Sequence, residues 1–341
     1  MKIAVLSLAH PHAQSYIAAL QRMPDIELAV SDPGHATRPV GESGGPALAR
    51  ELGGTHYLAS YDEIWRWGPD AVIVCAENIE HRALAERAAA EGVHILCEKP
   101  LATTPEDASA MVAAADAAGV VLMVAYPVRF SPAYEELRES VRKGSLGEIV
   151  AISATNCGGV PVGTRSWFID PALSGGGALT DHVVHAADLI GDLLGEEPVE
   201  VYATTTAIPN GGSRAVETGG LVSLRYEGGV IASIDCSWSR TNGAPDVGDL
   251  VTLSVVGTEG FAEIAPFADI LTGWSARRGS LAHSYVPPMD DLLLREFLLA
   301  VREGVARQPD GRTGRAHVEL VAGAYESTRL GTPIPLRPAL H

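Results

Sequence analysis

Apolar residues in the first third of the chain fall in short unbroken runs: residues 3–6, 26–30, 70–75, 93–97 and 120–124. Runs of that length without a polar interruption suit strands buried on both faces. Between them, apolar positions recur with helical spacing over residues 14–22, 46–52, 61–67 and 82–91. A further helix opens at Thr104-Pro-Glu-Asp107, a capping pattern. Strand and helix alternating through residue 124 predict an open, doubly wound parallel sheet that takes ligands at the carboxyl ends of its strands.

The pattern changes after an amphipathic helix at 133–143. Residues 150–155, 199–207, 220–226, 230–238, 251–256 and 261–264 alternate apolar with small or polar side chains and are joined by turns such as Glu227-Gly-Gly229. They predict an antiparallel sheet with two distinct faces, one covering helices and the other solvated or used for assembly. Residues 290–303 and 314–330 close the chain as helices. The fold class expected is therefore α/β, a parallel-sheet domain over 1–124 and an α+β domain with a large open, mostly antiparallel sheet over 125–341.

One stretch interrupts this scheme with chemistry. Ser174-Gly-Gly-Gly runs into a helix whose residues Leu179, Val183, Ala186 and Ile190 form one apolar face. Asp181, His185 and Asp188 share another stripe, and His182 is expected to point elsewhere. A carboxylate one turn from a histidine can orient an imidazole for proton transfer, and glycines let a backbone approach a ligand closely. The alternative is a helix end with a solvated polar stripe.

Other candidates stand at the predicted strand ends. Strand, turn, helix, strand and then Asp32 is the layout of a dinucleotide-binding unit, with the acid receiving ribose hydroxyls. Ser7, Ala9 and His12 occupy the places of its usual glycines. Asn78 and Lys99 follow later strands; Lys99 is either a desolvated donor to a substrate oxygen or a surface lysine, and Glu98 could pair with it. His10 and His12 form H-x-H with no third ligand nearby in sequence, so no metal is expected. Residues 158–167 read as a long loop placed to cover a site.

Composition removes several classes. A chain of 341 residues with 46% hydrophobic and 20% charged residues allows two globular domains. A net charge of -17 argues against nucleic acid or an anionic membrane as partner. Four scattered cysteines (75, 97, 157 and 236) fit buried thiols in a reducing compartment. The N-terminus enters a strand without a leader-like run, which points to a cytoplasmic protein.

Taken together, Ala71-Val-Ile-Val-Cys75, Asn78-x-x-His81, Cys97-Glu98-Lys99-Pro100-Leu-Ala102 and Gly175-Gly-Gly-x-x-x-Asp181-x-x-x-His185-x-x-Asp188 resemble the glucose–fructose oxidoreductase, inositol dehydrogenase and MocA family. Arg129-Phe-x-Pro132, Gly144-x-Leu-Gly147-Glu-Ile149 and Trp167-Phe-x-Asp170 extend the likeness over essentially the whole chain. The resemblance implies a Rossmann domain carrying NAD and a C-terminal domain whose sheet mediates homodimer or homotetramer contacts. It implies Lys99, Asp181 and His185 as catalytic residues: His185 as base, Lys99 as donor to the substrate oxygen, Asp181 as the positioning carboxylate. Ser7, Ala9, His10, His12, Asp32, Ala76, Asn78, His81, Glu98 and Lys99 would line the cofactor. Arg129, Asn156, Arg165 and Trp167, with Asp181 and His185, would border a carbohydrate or polyol. Asp32 would repel a 2′-phosphate and so favours NAD over NADP, while Arg38 keeps NADP open. The expected activity is oxidation or reduction of a sugar, sugar derivative or cyclitol. Cleavage or epimerisation of a glycoside with retained cofactor, or a non-catalytic NAD-binding regulator, are the alternatives.

Overall fold

The computed structural model describes all residues except 40, 54–55, 162–164, 209–214, 241–248, 269, 276–278, 285–287 and 337–341. Part of the predicted 158–167 loop thus lies outside the described residues. The chain divides into two compact units: Met1–Tyr126 with Pro161–Gly175 and Asp290–Val318, and Pro127–Val160 with Gly176–Met289 and Glu319–His341.

In the first unit β1 (Lys2–Leu6), β2 (Glu27–Ser31), β3 (His56–Tyr57), β4 (Ala71–Val74), β5 (His94–Cys97) and β6 (Leu122–Val124) form one sheet in the order β3-β2-β1-β4-β5-β6. Every pairing is parallel. The unbroken apolar runs are the reason: Ile3–Leu6 and Ala71–Val74 are buried throughout. Strand order reverses between β1 and β4, the crevice where such sheets bind nucleotides. The connecting helices are α1 (His12–Gln21), α2 (Gly45–Glu51), α3 (Tyr61–Trp67), α4 (His81–Ala90) and α5 (Pro105–Ala118). The capping pattern at α5 is realised, with Asp107 N donating to Thr104 Oγ1 at 3.1 Å.

The second unit begins with α6 (Pro132–Arg142) and carries a seven-stranded sheet. Its strands are β7 (Ile149–Cys157), β8 (Glu200–Thr206), β9 (Gly219–Arg225), β10 (Ile231–Asp235), β11 (Leu250–Gly257), β12 (Phe261–Ile264) and β15 (Ile334–Pro335), ordered β12-β11-β7-β10-β9-β8-β15. All pairs are antiparallel except β7 with β10. A separate hairpin joins β13 (Ile270–Ser275) and β14 (Gly279–Ser284); neither strand is marked by the sequence pattern.

Alternation sorts the faces of the seven-stranded sheet. Val201, Ala203, Val222, Leu224, Ala232, Ile234, Leu253 and Val255 are buried, whereas Tyr202, Leu221, Ile231 and Val256 are exposed. The short α7 (Pro171–Ser174) precedes α8 (Ala178–Leu194), which packs on β7, β9 and β10. A Cβ on Gly220 would come within 2.5 Å of Leu179 Cδ1, so the helix lies close on the sheet there. Helices α9 (Met289–Glu303) and α10 (Gly311–Leu330) complete the chain. No described helix is long and apolar enough to cross a membrane.

Candidate functional site

In the first unit the β1–α1 turn keeps the shape of a glycine loop without the glycines. Ser7, in the place of the first, adopts φ 71°, a left-handed conformation that costs a non-glycine residue about 1–2 kcal/mol. The turn is tied to both neighbouring strands, by Ser7 N to Ser31 O (2.7 Å) and His10 N to Cys75 O (2.9 Å). Arg165 and Trp167, expected beside substrate, meet this turn. Arg165 Nη2 donates to Leu8 O (3.2 Å) and Trp167 Nε1 to Ala9 O (3.2 Å). The indole stacks on Phe168 at 3.9 Å, and both rings bury Ala9.

Asp32 stands at the end of β2, fully buried. Arg38 grips both its oxygens, Nη1 to Oδ2 at 2.9 Å and Nη2 to Oδ1 at 2.7 Å, while Gly45 N donates to Oδ2 at 2.7 Å. Burial would raise this carboxyl, but the bonds and charge of Arg38 hold it below its ordinary range. Arg38 also reaches Glu77 (3.1 Å), so the guanidinium lies between two acids.

Glu98, at the end of β5, is wholly buried. Tyr16 donates to Oε1 at 2.6 Å, His12 Nδ1 lies 3.1 Å and His10 Nδ1 3.5 Å from it, and Lys99 N donates to Oε2 at 3.1 Å. Burial pushes this carboxyl up; the two histidines and the hydrogen bonds outweigh it and hold Glu98 well below the carboxylate range. His12 answers in the opposite sense: burial depresses it, but Glu98 raises it to about 9. Lys99 is buried beside this group. His81 places its Nδ1 3.0 Å from Pro100 O and its Nε2 3.2 Å from Ala76 O, bracing the end of β4 against the Glu98–Pro100 segment. Asn78 donates Nδ2 to Ser174 O (2.8 Å).

These residues fit a dinucleotide. Asn78 Oδ1 and Ser31 Oγ are buried with no hydrogen-bond partner among the described residues; Ser31 ends β2 and Asn78 follows β4, on either side of β1. Polar atoms buried in that way are normally met by a ligand or water. At the adenosine end Arg38 must yield or share Asp32 for a ribose to reach it.

In the second unit the glycine stretch is held from outside. Gly177 N and Leu179 N donate to Glu217 Oε1 (3.1 and 2.9 Å), as does Tyr325 OH (2.9 Å), and Tyr325 also meets Thr180 Oγ1 at 2.9 Å. Gly177, the residue capping α8, has no side chain, so Glu217 supplies the acceptor that the first backbone N–H groups need. A Cβ on Gly177 would lie 2.0 Å from Glu217 O.

From that helix start Asp181 projects into a tight setting. Trp238 Nε1 donates to Asp181 Oδ2 at 3.0 Å, and His182 Nε2 lies 3.1 Å from the same oxygen and 3.6 Å from Asp249 Oδ2. His182 therefore does not point away from Asp181; successive Cβ atoms diverge, but the imidazole is long enough for its far nitrogen to return. Asn156 Nδ2 donates to His182 O at 3.4 Å, and its Oδ1 is buried without a partner among the described residues. His185, one turn further, is partly exposed. Asp188 is not available to it: Arg129 Nε and Nη2 bind the Asp188 carboxylate at 2.9 and 2.5 Å, and Nη1 binds Asp192 at 2.9 Å. Arg129, expected at substrate, is buried in that ion pair. Trp238, Glu217 and Tyr325 carry no sequence signal, because each is remote in the chain from the residue it holds.

A parallel sheet of nucleotide-binding type in one unit and an open, mostly antiparallel sheet in the other define a two-domain protein of the NAD-binding Rossmann class. Residues 9–126 match the model of the oxidoreductase family with an NAD-binding Rossmann fold, and residues 134–263 that of the GFO/IDH/MocA C-terminal domain. The chain belongs to the Gfo/Idh/MocA family. It is 35% identical over 189 residues to 1,5-anhydro-D-fructose reductase of Ensifer adhaerens, a match spanning 55% of this chain and 56% of the reductase. It is 29% identical to D-xylose 1-dehydrogenase (NADP(+)) 2 of Haloferax volcanii, over 86% of this chain and 89% of that one. In fold it resembles GenD2 from gentamicin A biosynthesis, solved in complex with NAD, with a TM-score of 0.86 at 24% identity over 99% of this chain and 96% of that one.

Proposed function

We propose that the chain is an NAD-dependent oxidoreductase that moves a hydride between nicotinamide and a C–OH or C=O group of a sugar, sugar derivative or cyclitol. Bound NAD supplies the hydride acceptor or donor. His185 takes the hydroxyl proton on oxidation and returns it on reduction, because a partly exposed imidazole can exchange protons with solvent. Lys99 donates to the substrate oxygen and stabilises its developing negative charge. Asp181 orients substrate and base. Asn78, Ser31 and Asp32 would hold the cofactor, with Ser7, Ala9, His10 and His12 shaping the turn beside it.

The observation that carries this reading is Asp181, a carboxylate fixed by Trp238 at the start of a helix braced by Glu217. A solvated polar stripe would not need such bracing. Residues 1–124 are assigned to cofactor and 125–341 to substrate and assembly. The exposed sheet face bearing Tyr202, Leu221 and Ile231 suits a homodimer or homotetramer contact. Four buried free cysteines suit the cytoplasm.

The test is kinetic. Lys99→Ala and His185→Ala should each lower turnover of a responsive polyol by about 10³-fold or more while NAD affinity changes little. Full activity in both variants would refute the assignment.

A further inference from the structure

The fold brings a third donor to the H-x-H of the β1–α1 turn. Glu98, far away in sequence, places Oε1 3.1 Å from His12 Nδ1 and 3.5 Å from His10 Nδ1. One ligand atom from each of the three residues lies within 4.8 Å of the others. Ligands at about 2.0–2.1 Å around a tetrahedral zinc stand about 3.4 Å apart, so two edges of such a site are already formed. We propose that His10, His12 and Glu98 bind one divalent transition-metal ion, of the class that accepts two imidazoles and a carboxylate, with zinc its natural occupant.

The donor set suits the ion. His10 Nδ1 faces both His12 N at 3.3 Å and Glu98 Oε1 at 3.5 Å, and an ion would take its lone pair in place of the long bond from His12 N. Glu98 Oε2 is held by Lys99 N, which leaves Oε1 as the coordinating oxygen. Tyr16, donating to that same oxygen, orients it as an outer partner does at metal centres. Charge also favours a cation: the buried Glu98 carboxylate meets both histidines, and a second carboxylate, Asp290, stands against α1. Asp290 is fixed there by Ser15 Oγ. His10 and Glu98 are buried while the His12 side chain is 36% exposed, so an ion has a way in. Three protein ligands leave a fourth position for water or substrate.

This site stands on its own geometry and does not depend on the dehydrogenase reading, which NAD titration of the same sample tests separately. The full chain, stripped with a chelator, is titrated with Co²⁺ followed by visible absorbance and with Zn²⁺ by calorimetry. One equivalent should bind, and His10→Gln and His12→Gln should each weaken it by about 100-fold or more. His56→Gln, on the β3 strand, should leave the affinity unchanged, and circular dichroism confirms that each variant is folded. Absence of one-equivalent binding to the unmodified chain, or undiminished binding in either His10→Gln or His12→Gln, would overturn the proposal.

Discussion

Trp238 and Asp181 are joined by one hydrogen bond, indole Nε1 to Oδ2 at 3.0 Å, between a wholly buried ring and a carboxylate at the start of α8. The indole can only donate, so Oδ2 accepts from it and the bond holds the carboxyl group in one rotamer. Trp238→Phe keeps an aromatic ring and removes the donor. Loss of a hydrogen bond to a charged group is worth about 1.5–3 kcal/mol. Turnover should therefore fall by roughly 10- to 100-fold, with the melting temperature lowered as well by the smaller ring. Steady-state kinetics beside a thermal melt check it; unchanged kcat would show that Asp181 needs no such anchor.

Two glycines at the ends of α8 separate close approach from backbone strain. Gly177 has an ordinary φ of -108°, yet its Cβ would sit 2.0 Å from Glu217 O. Gly177→Ala should cost about 3 kcal/mol, at the upper end of overpacking, because a backbone oxygen must move. Gly195 has φ 69° with nothing within 4 Å of a Cβ. Gly195→Ala should cost only about 1 kcal/mol, the left-handed penalty. Chemical denaturation gives both values; equal losses would mean that Glu217 O yields freely.

Arg38 covers the acid that would receive the adenosine ribose. Arg38→Ala uncovers Asp32 for ribose hydroxyls and leaves its charge unscreened toward a 2′-phosphate. Both effects move selectivity the same way. The NAD-to-NADP preference should rise by about 10-fold or more, since even one unit charge near a surface is worth a few kcal/mol at contact. Equilibrium titration with each nucleotide measures the ratio, and an unchanged ratio would remove Arg38 from the nucleotide's surroundings.

Much of this was legible along the chain. Unbroken apolar runs marked the parallel strands, and alternation marked the faces of the second sheet, because burial on two faces or one leaves different patterns. Asp32, Asn78 and Lys99 could be placed at strand ends by counting. What could not be read was who holds them. Arg38 follows Asp32 closely, but nothing local says that it grips both oxygens. Glu98 meets His10 and His12 only because β5 and the β1–α1 turn end together. Trp238, just past β10, reaches Asp181 on α8, a contact with no spacing rule. Arg129 and Trp167 have partners that the sequence did not give for the same reason: Asp188 and Ala9 O are remote from them in the chain.

The Arg129–Asp188 pair also shapes a titration. Glu197 lies in its field, and burial, Asp188 and Glu319 together raise its carboxyl to about 7 against the opposing pull of Arg129. The unfolded chain would release that proton near 4.5. A group whose folded pKa is raised contributes stability below its unfolded value and loses it as pH climbs through the folded value. Glu197 should therefore favour folding at pH 4.5 and cease to do so by about pH 7, where its charge is buried beside Asp188. Glu197→Gln keeps the shape and removes the proton exchange. Relative to the unmodified chain, the variant should gain melting temperature at pH 8 and lose that advantage as pH falls to 5. Thermal melts of both proteins across this interval decide it: curves that run parallel would mean that Glu197 is ionised in the folded protein throughout.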